Sequence, residues 1–167
     1  YSVHSNLILP YLVEYATDEQ KQRWLPGFCS GELMFAIAMT EPGTGSDLAN
    51  ISTTAKLSED GSHYVLDGAK TFITGGALAD RILVVARTAP FDESNRRAGL
   101  SILVVDTSSE GFAVGRRIEK IGLKASDTAE LSFSSVKVPV EDRLGEEGAG
   151  FSYLAHNLAQ ERLTIAI

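Results

Sequence analysis

Residues 51–76 read ISTTAKLSEDGSHYVLDGAKTFITGG. Apolar and polar positions alternate in short runs rich in Val, Ile, Thr, Tyr and Phe, and glycine-containing dipeptides punctuate them. This is the pattern of strands joined by tight turns. The same alternation extends outward from Leu33 to Pro139. It predicts strands at Phe35 to Met39, Ile51 to Leu57, Tyr64 to Leu66, Thr71 to Thr74, Ile82 to Arg87, Ser101 to Asp106, Ala113 to Ile118 and Ala129 to Val138. Turns are expected at Asp60-Gly61, Asp67-Gly68 and Glu110-Gly111, and an exposed loop from Pro90 to Arg97. Short strands without intervening helices predict an antiparallel β-barrel or sandwich rather than a parallel sheet.

Helical patterns flank this middle region. Asn6 to Tyr15 reads as the end of a buried helix. Thr17-Asp18-Glu19-Gln20 has the form of a capping box and opens a second helix, which Pro26-Gly27 is expected to end. After Gly150 the helical period returns. On a helical wheel Phe151, Leu154, Ala155, Leu158 and Ile165 form one apolar stripe, with Arg162 inside it and Glu161 on its edge. A charge beside an apolar face is costly unless it is paired or used. The chain has no start methionine and stops within an apolar helix, so it reads as a fragment. Its parts are expected at 1–32 (helical), 33–143 (β) and 144–167 (helical).

Composition narrows the function. With 44% hydrophobic and 22% charged residues among 167, the chain can bury one ordinary core. A net charge of −7 with scattered basic residues argues against nucleic-acid binding, and no apolar run reaches membrane-spanning length. The single cysteine, Cys29, is expected to be a half-buried packing residue. His4, His63 and His156 lack metal-ligand spacing and are expected at the surface, so no metal site is assigned.

Two further segments can carry chemistry. Ala38-Met39-Thr40-Glu41-Pro42-Gly43-Thr44-Gly45-Ser46-Asp47 follows a strand and could aim backbone N–H groups at an anion. By itself it also fits a plain surface loop, because it lacks the third glycine of a dinucleotide fingerprint. In Lys70-Thr71-Phe72-Ile73-Thr74-Gly75-Gly76, alternation puts Phe72 and Thr74 on one face. That pairing suits a flat heteroaromatic ligand and a sheet core equally.

Together these segments resemble the acyl-CoA dehydrogenase family. AMTEPGTGSD (38–47) is similar to its flavin-site motif, with Thr44 in place of the usual small residue. KTFITGG (70–76) resembles the strand that flanks the flavin ring, with Phe72 where Trp is common. GLKA (122–125), DTAEL (127–131), LGEEGAGF (144–151) and the opening YATDEQKQRWLPGFCSGEL (15–33) extend the resemblance over essentially the whole chain. AQERL (159–163) is similar to the long-chain and isovaleryl branch, in which the catalytic carboxylate stands on the helix after the β-domain.

The resemblance implies an FAD enzyme that takes an α-proton and a β-hydride from a fatty acyl-CoA, giving the trans-2-enoyl thioester. An electron-transferring flavoprotein would reoxidise the cofactor, and the full-length protein would be a dimer or tetramer. It would work in the mitochondrial matrix of a eukaryote or the cytoplasm of a bacterium. The implied flavin contacts are Ile37, Ala38, Met39, Thr40, Gly45, Ser46, Phe72, Ile73 and Thr74. Ser46, Leu158 and Arg162 would meet the substrate, and Glu161 would be the base. Alternatives on the same fold are an acyl-CoA oxidase and a non-catalytic binding or assembly domain; a flavin monooxygenase should lack the carboxylate at Glu161.

Overall fold

The computed structural model describes residues 3–166. A π-helical segment, Val3–Ile8, runs into helix α1 (Leu9–Tyr15), and α2 follows at Asp18–Ser30. The capping box is present: Gln20 N–H donates to the Thr17 hydroxyl at 3.2 Å, and Thr17 N–H to the Gln20 side chain at 3.0 Å. The Gln20 amide also donates to the Glu141 and Arg143 carbonyls at 2.8 and 2.9 Å, tying α2 to the far end of the chain. Pro26-Gly27 does not end α2, contrary to the sequence expectation. The helix passes through Pro26, a Cβ on Gly27 would stand 2.8 Å from Leu33, and the chain leaves the helix at Gly31.

Eight strands follow: β1 (Phe35–Ala38), β2 (Thr54–Leu57), β3 (His63–Thr74), β4 (Arg81–Arg87), β5 (Leu100–Asp106), β6 (Phe112–Arg117), β7 (Thr128–Pro139) and β8 (Arg143–Leu144). They form one sheet in the order β6-β7-β3-β2-β4-β5-β8. Most pairings are antiparallel, as expected, but β1 runs parallel to β4, and β2 meets β4 in parallel through Thr54 and Arg87. The sheet is therefore mixed. Two strands share one edge of β4, and residues 39–53 make an excursion between them.

β4 and β5 are near-continuous apolar runs because both of their faces are covered. On one side Ile82, Val84, Leu103 and Val105 meet Ala129, Leu131 and Val136 of β7, so the sheet curls around this core. On the other side Leu83, Val85, Ile102 and Val104 pack with Ile8, Tyr11, Trp24 and Phe28. His4 belongs to that layer and is not a surface residue. Its ring stacks on Phe28, Nδ1 accepts from Phe35 N–H at 3.1 Å, and Nε2 lies 3.1 Å from the Phe28 carbonyl. Cys29, expected to be half-buried, is exposed on α2.

Asp67-Gly68 is not a turn: β3 continues through it as a single strand. The β3–β7 ladder slips twice, between Leu66 and Gly68 and again between Lys70 and Ile73. Opposite the first slip, Ser135 of β7 takes a left-handed φ of 53°, and its N–H donates to the Asp67 carboxylate at 2.7 Å. Gly68 is needed because a Cβ there would stand 2.5 Å from the Thr53 hydroxyl. At the second slip the extra residue is on β3, where Phe72 has a φ of 59°.

Helix α3 (Gly150–Ala166) starts against β5, where a Cβ on Gly150 would stand 2.7 Å from the Leu100 carbonyl. Its buried face is Gly150, Leu154, Asn157 and Glu161, which keeps Leu154 of the apolar stripe expected from the sequence but not the whole stripe. Ala155, Arg162 and Ile165 are exposed, and Phe151 and Leu158 are half-buried. Polar partners on α1 set the rotation. Tyr153 stacks on Tyr15 at 3.9 Å, Asn157 donates to the Tyr15 hydroxyl at 3.5 Å, and Glu161 accepts from Tyr11.

Candidate active site

The excursion after β1 is held from beneath by one buried ion pair. Lys70 Nζ on β3 lies 3.0 Å from Glu41 Oε1 and donates to the Met39 carbonyl, also at 3.0 Å. Glu41 accepts in addition from Ser52 N–H (2.8 Å), Ser52 Oγ (2.6 Å) and Thr53 N–H (2.9 Å). Burial alone would raise the Glu41 carboxyl. The Lys70 charge and these donors outweigh it and hold the group at about 2. Burial pulls Lys70 the other way, down to about 8, against the opposing pull of Glu41.

This lock brings the two motifs side by side, and Thr71 N–H donates to the Thr40 carbonyl at 2.9 Å. Ile37 and Met39 lean toward the helical layer, while the Ala38 and Ile73 side chains lie in the sheet core and leave only their main chain for a ligand. The bulge decides what β3 presents. Before it the even-numbered Tyr64, Leu66 and Lys70 are buried; after it the odd-numbered Thr71 and Ile73 are. Phe72 and Thr74 consequently face away from that core, and Phe72 is 65% exposed. A bulky residue in left-handed backbone costs roughly 1–3 kcal/mol and is found mainly where a site requires it.

Gly45 and Ser46 are exposed at the turn of the excursion, which closes through reciprocal Glu41–Thr44 backbone bonds. Ser46 and Leu158 line one cavity of about 230 Å³ between this loop and α3. Arg97 lines it too and stacks over Phe151 at 5.2 Å. The loops are joined by Arg87, which donates to the Ile51, Ala49 and Ala98 carbonyls. A larger hollow of about 510 Å³ beside Arg87 and Phe91 contains none of the predicted site residues. Arg162 is exposed and does not line the smaller cavity.

Glu161 is 6% exposed, and its Oε1 accepts from the Tyr11 hydroxyl at 2.7 Å. Burial raises its carboxyl above the ordinary range, and the Tyr11 bond opposes that rise in part. Sequence reasoning missed Tyr11, whose partner stands 150 residues away. It also missed the Glu41–Lys70 pair, although an acid in the first motif and a lysine at a strand position facing the core were its signals.

A family model described as the acyl-CoA dehydrogenase middle domain matches residues 36–136, and one described as the N-terminal domain matches residues 1–32. The chain belongs to the acyl-CoA dehydrogenase family. It is 47% identical to the mitochondrial long-chain specific acyl-CoA dehydrogenase of Sus scrofa, with 99% of this chain and 38% of that protein covered. A crystal structure of an acyl-CoA dehydrogenase from Geobacillus kaustophilus matches with a TM-score of 0.93 at 54% identity, over 98% of this chain and 42% of the other. A chain in a structure described as the electron transferring flavoprotein of Acidaminococcus fermentans matches with a TM-score of 0.90 at 36% identity, over 99% and 42%. The chain thus spans about two-fifths of the length of these relatives. Among the described residues no helix is long and apolar enough to cross a membrane.

Proposed function

We propose that this chain is the flavin-facing part of an FAD-dependent acyl-CoA dehydrogenase, made of the end of a helical domain (1–32), a β-domain (33–143) and the start of a helical bundle (144–167). The observation that carries the reading is Phe72, an exposed ring in left-handed backbone between Thr74 and Thr71, the residue bonded to the Thr40 carbonyl. A flat aromatic ligand fits that arrangement: Phe72 offers a face, Thr74 a hydroxyl, and the 40–46 loop main-chain groups. FAD, when bound there, supplies the hydride acceptor. Ser46 and Leu158 would line the approach of a fatty acyl-CoA, and Glu161 would take its α-proton. An electron-transferring flavoprotein would accept the electrons from a homo-oligomeric enzyme, for which a dimer or tetramer is proposed. The electron-transferring flavoprotein structure among the solved relatives supports that partner.

The full-length protein should purify yellow. Anaerobic addition of straight-chain acyl-CoAs, from butyryl to palmitoyl, should bleach the flavin and yield the trans-2-enoyl-CoA. Reoxidation by air should be slow. A colourless full-length protein, or a flavin that no acyl-CoA in the series bleaches, would overturn the proposal; fast reoxidation would make the enzyme an oxidase.

A further inference from the structure

The contact between α1 and α3 contains a group to which neither the motifs nor the family resemblance gives a role. Tyr11 is fully buried in the helical layer, yet its hydroxyl is directed at the carboxylate of Glu161 at 2.7 Å. A buried carboxylate beside an apolar layer is normally left out of a stable interface or matched by a cation. Here a neutral phenol meets it. Among the described residues this is the carboxylate's only hydrogen bond, and it engages Oε1.

We propose that Tyr11 is a positioning residue for Glu161, fixing one carboxylate oxygen and the side-chain orientation and leaving Oε2 to receive the substrate α-proton. This rests on the assignment of Glu161 as the base. The proton passes from the substrate carbon to Oε2, while the phenol keeps its own proton and donates to Oε1 before and after transfer. Burial and the adjoining carboxylate push the Tyr11 phenol well above the ordinary tyrosine range, so it remains a donor throughout the working pH range.

Among the described residues, no charged group competes with this contact, which opposes the rise that burial imposes on the carboxylate. On α1, Glu14 faces His156 of α3 at 3.6 Å, and Tyr15 stacks on Tyr153. Arg162 on α3 is exposed. From the other elements packed on α3, His4 of the π-helical segment is bonded to backbone, and Asp106 of β5 is paired with Arg81. Among the described residues, burial raises the Glu161 carboxyl and the Tyr11 bond lowers it. A donor to the charged form lowers a carboxyl pKa, so removing it must raise that pKa.

The test is the pH dependence of flavin reduction by palmitoyl-CoA in the full-length protein. Tyr11→Phe should move the acid limb upward by about one pH unit. Replacing Tyr11 with 3-fluorotyrosine keeps its shape and makes it a stronger donor, so it should move the limb downward. If Tyr11→Phe fails to fold, the direction of the fluorotyrosine shift decides. A structural role alone would lower the plateau or the FAD content without moving the limb. Glu161→Gln separates the two ideas. If it abolishes reduction while the Tyr11 limbs coincide with wild type, the positioning role is wrong and the base stands. If it reduces normally, the base assignment fails and the positioning role fails with it.

Discussion

Glu161→Gln in the full-length protein is expected to keep FAD and bind a substrate analogue while slowing substrate-driven flavin reduction by roughly a thousandfold or more. A thioester α-proton is weakly acidic, and a carboxylate in water is a poor base for it. Glu161 sits where burial raises its pKa, and a bound acyl chain would desolvate it further. Glutamine keeps the shape and can still accept from Tyr11, so the loss isolates the base. Because the folded pKa is raised above the unfolded one, this group favours the fold when protonated, and that contribution is lost as pH rises through the folded value. The variant is therefore expected to be no less stable than wild type at neutral pH. Stopped-flow reduction and thermal unfolding measure the two effects. Near-normal reduction would place the base elsewhere in the protein.

Glu41→Ala should destabilise the chain by about 3–5 kcal/mol, since it strands a buried ammonium. Lys70 is 1% exposed, and the same substitution removes the acceptor for Ser52 and Thr53. Lys70→Met in the Glu41→Ala background should recover part of the loss, because the unpaired charge is then gone. Urea unfolding of the single and double variants tests this, and a double variant no more stable than Glu41→Ala would contradict it. The wild-type pH dependence has a definite sign. Glu41 has a folded pKa of about 2 against an unfolded value of 4.5. Its stabilisation is complete above the unfolded value and drains away as pH falls toward 2.

Local signals were legible in the sequence. Thr17 and Gln20 needed only each other, and the β4 and β5 runs carried their own strand pattern. Pro26 misled because a single proline was weighed without the α2 packing that carries the helix past it. The slips in β3 were invisible, since a bulge depends on the partner strand, and neither Ser135 nor Phe72 is a residue type that signals left-handed backbone. Phe72 and Thr74 were paired correctly, but which way they face depends on the bulge. Glu161 stood out as a charge at the edge of an apolar stripe. The stripe itself was misread in part, because Asn157 and Glu161 are drawn inward by tyrosines on a helix distant in sequence.

The two slips in the β3–β7 ladder have opposite sense. Tyr64 pairs with Val138 at one end and Thr74 with Thr128 at the other, and both pairs have the same summed position; between the slips, Gly68–Phe133 and Lys70–Leu131 fall one short. In the language of crystals they form a dislocation and its antidislocation, which cancel beyond the defect. A chain lacking the extra residue at a single slip would lose that bulge alone, and the pairs beyond it, Ile73 with Ala129 or Leu66 with Val136, would still meet. A chain lacking one residue at each slip would heal, with both ends in phase. The present sequence keeps both defects, and the short misfit between them is the stretch in which Lys70 turns inward and the aromatic ring that follows turns outward.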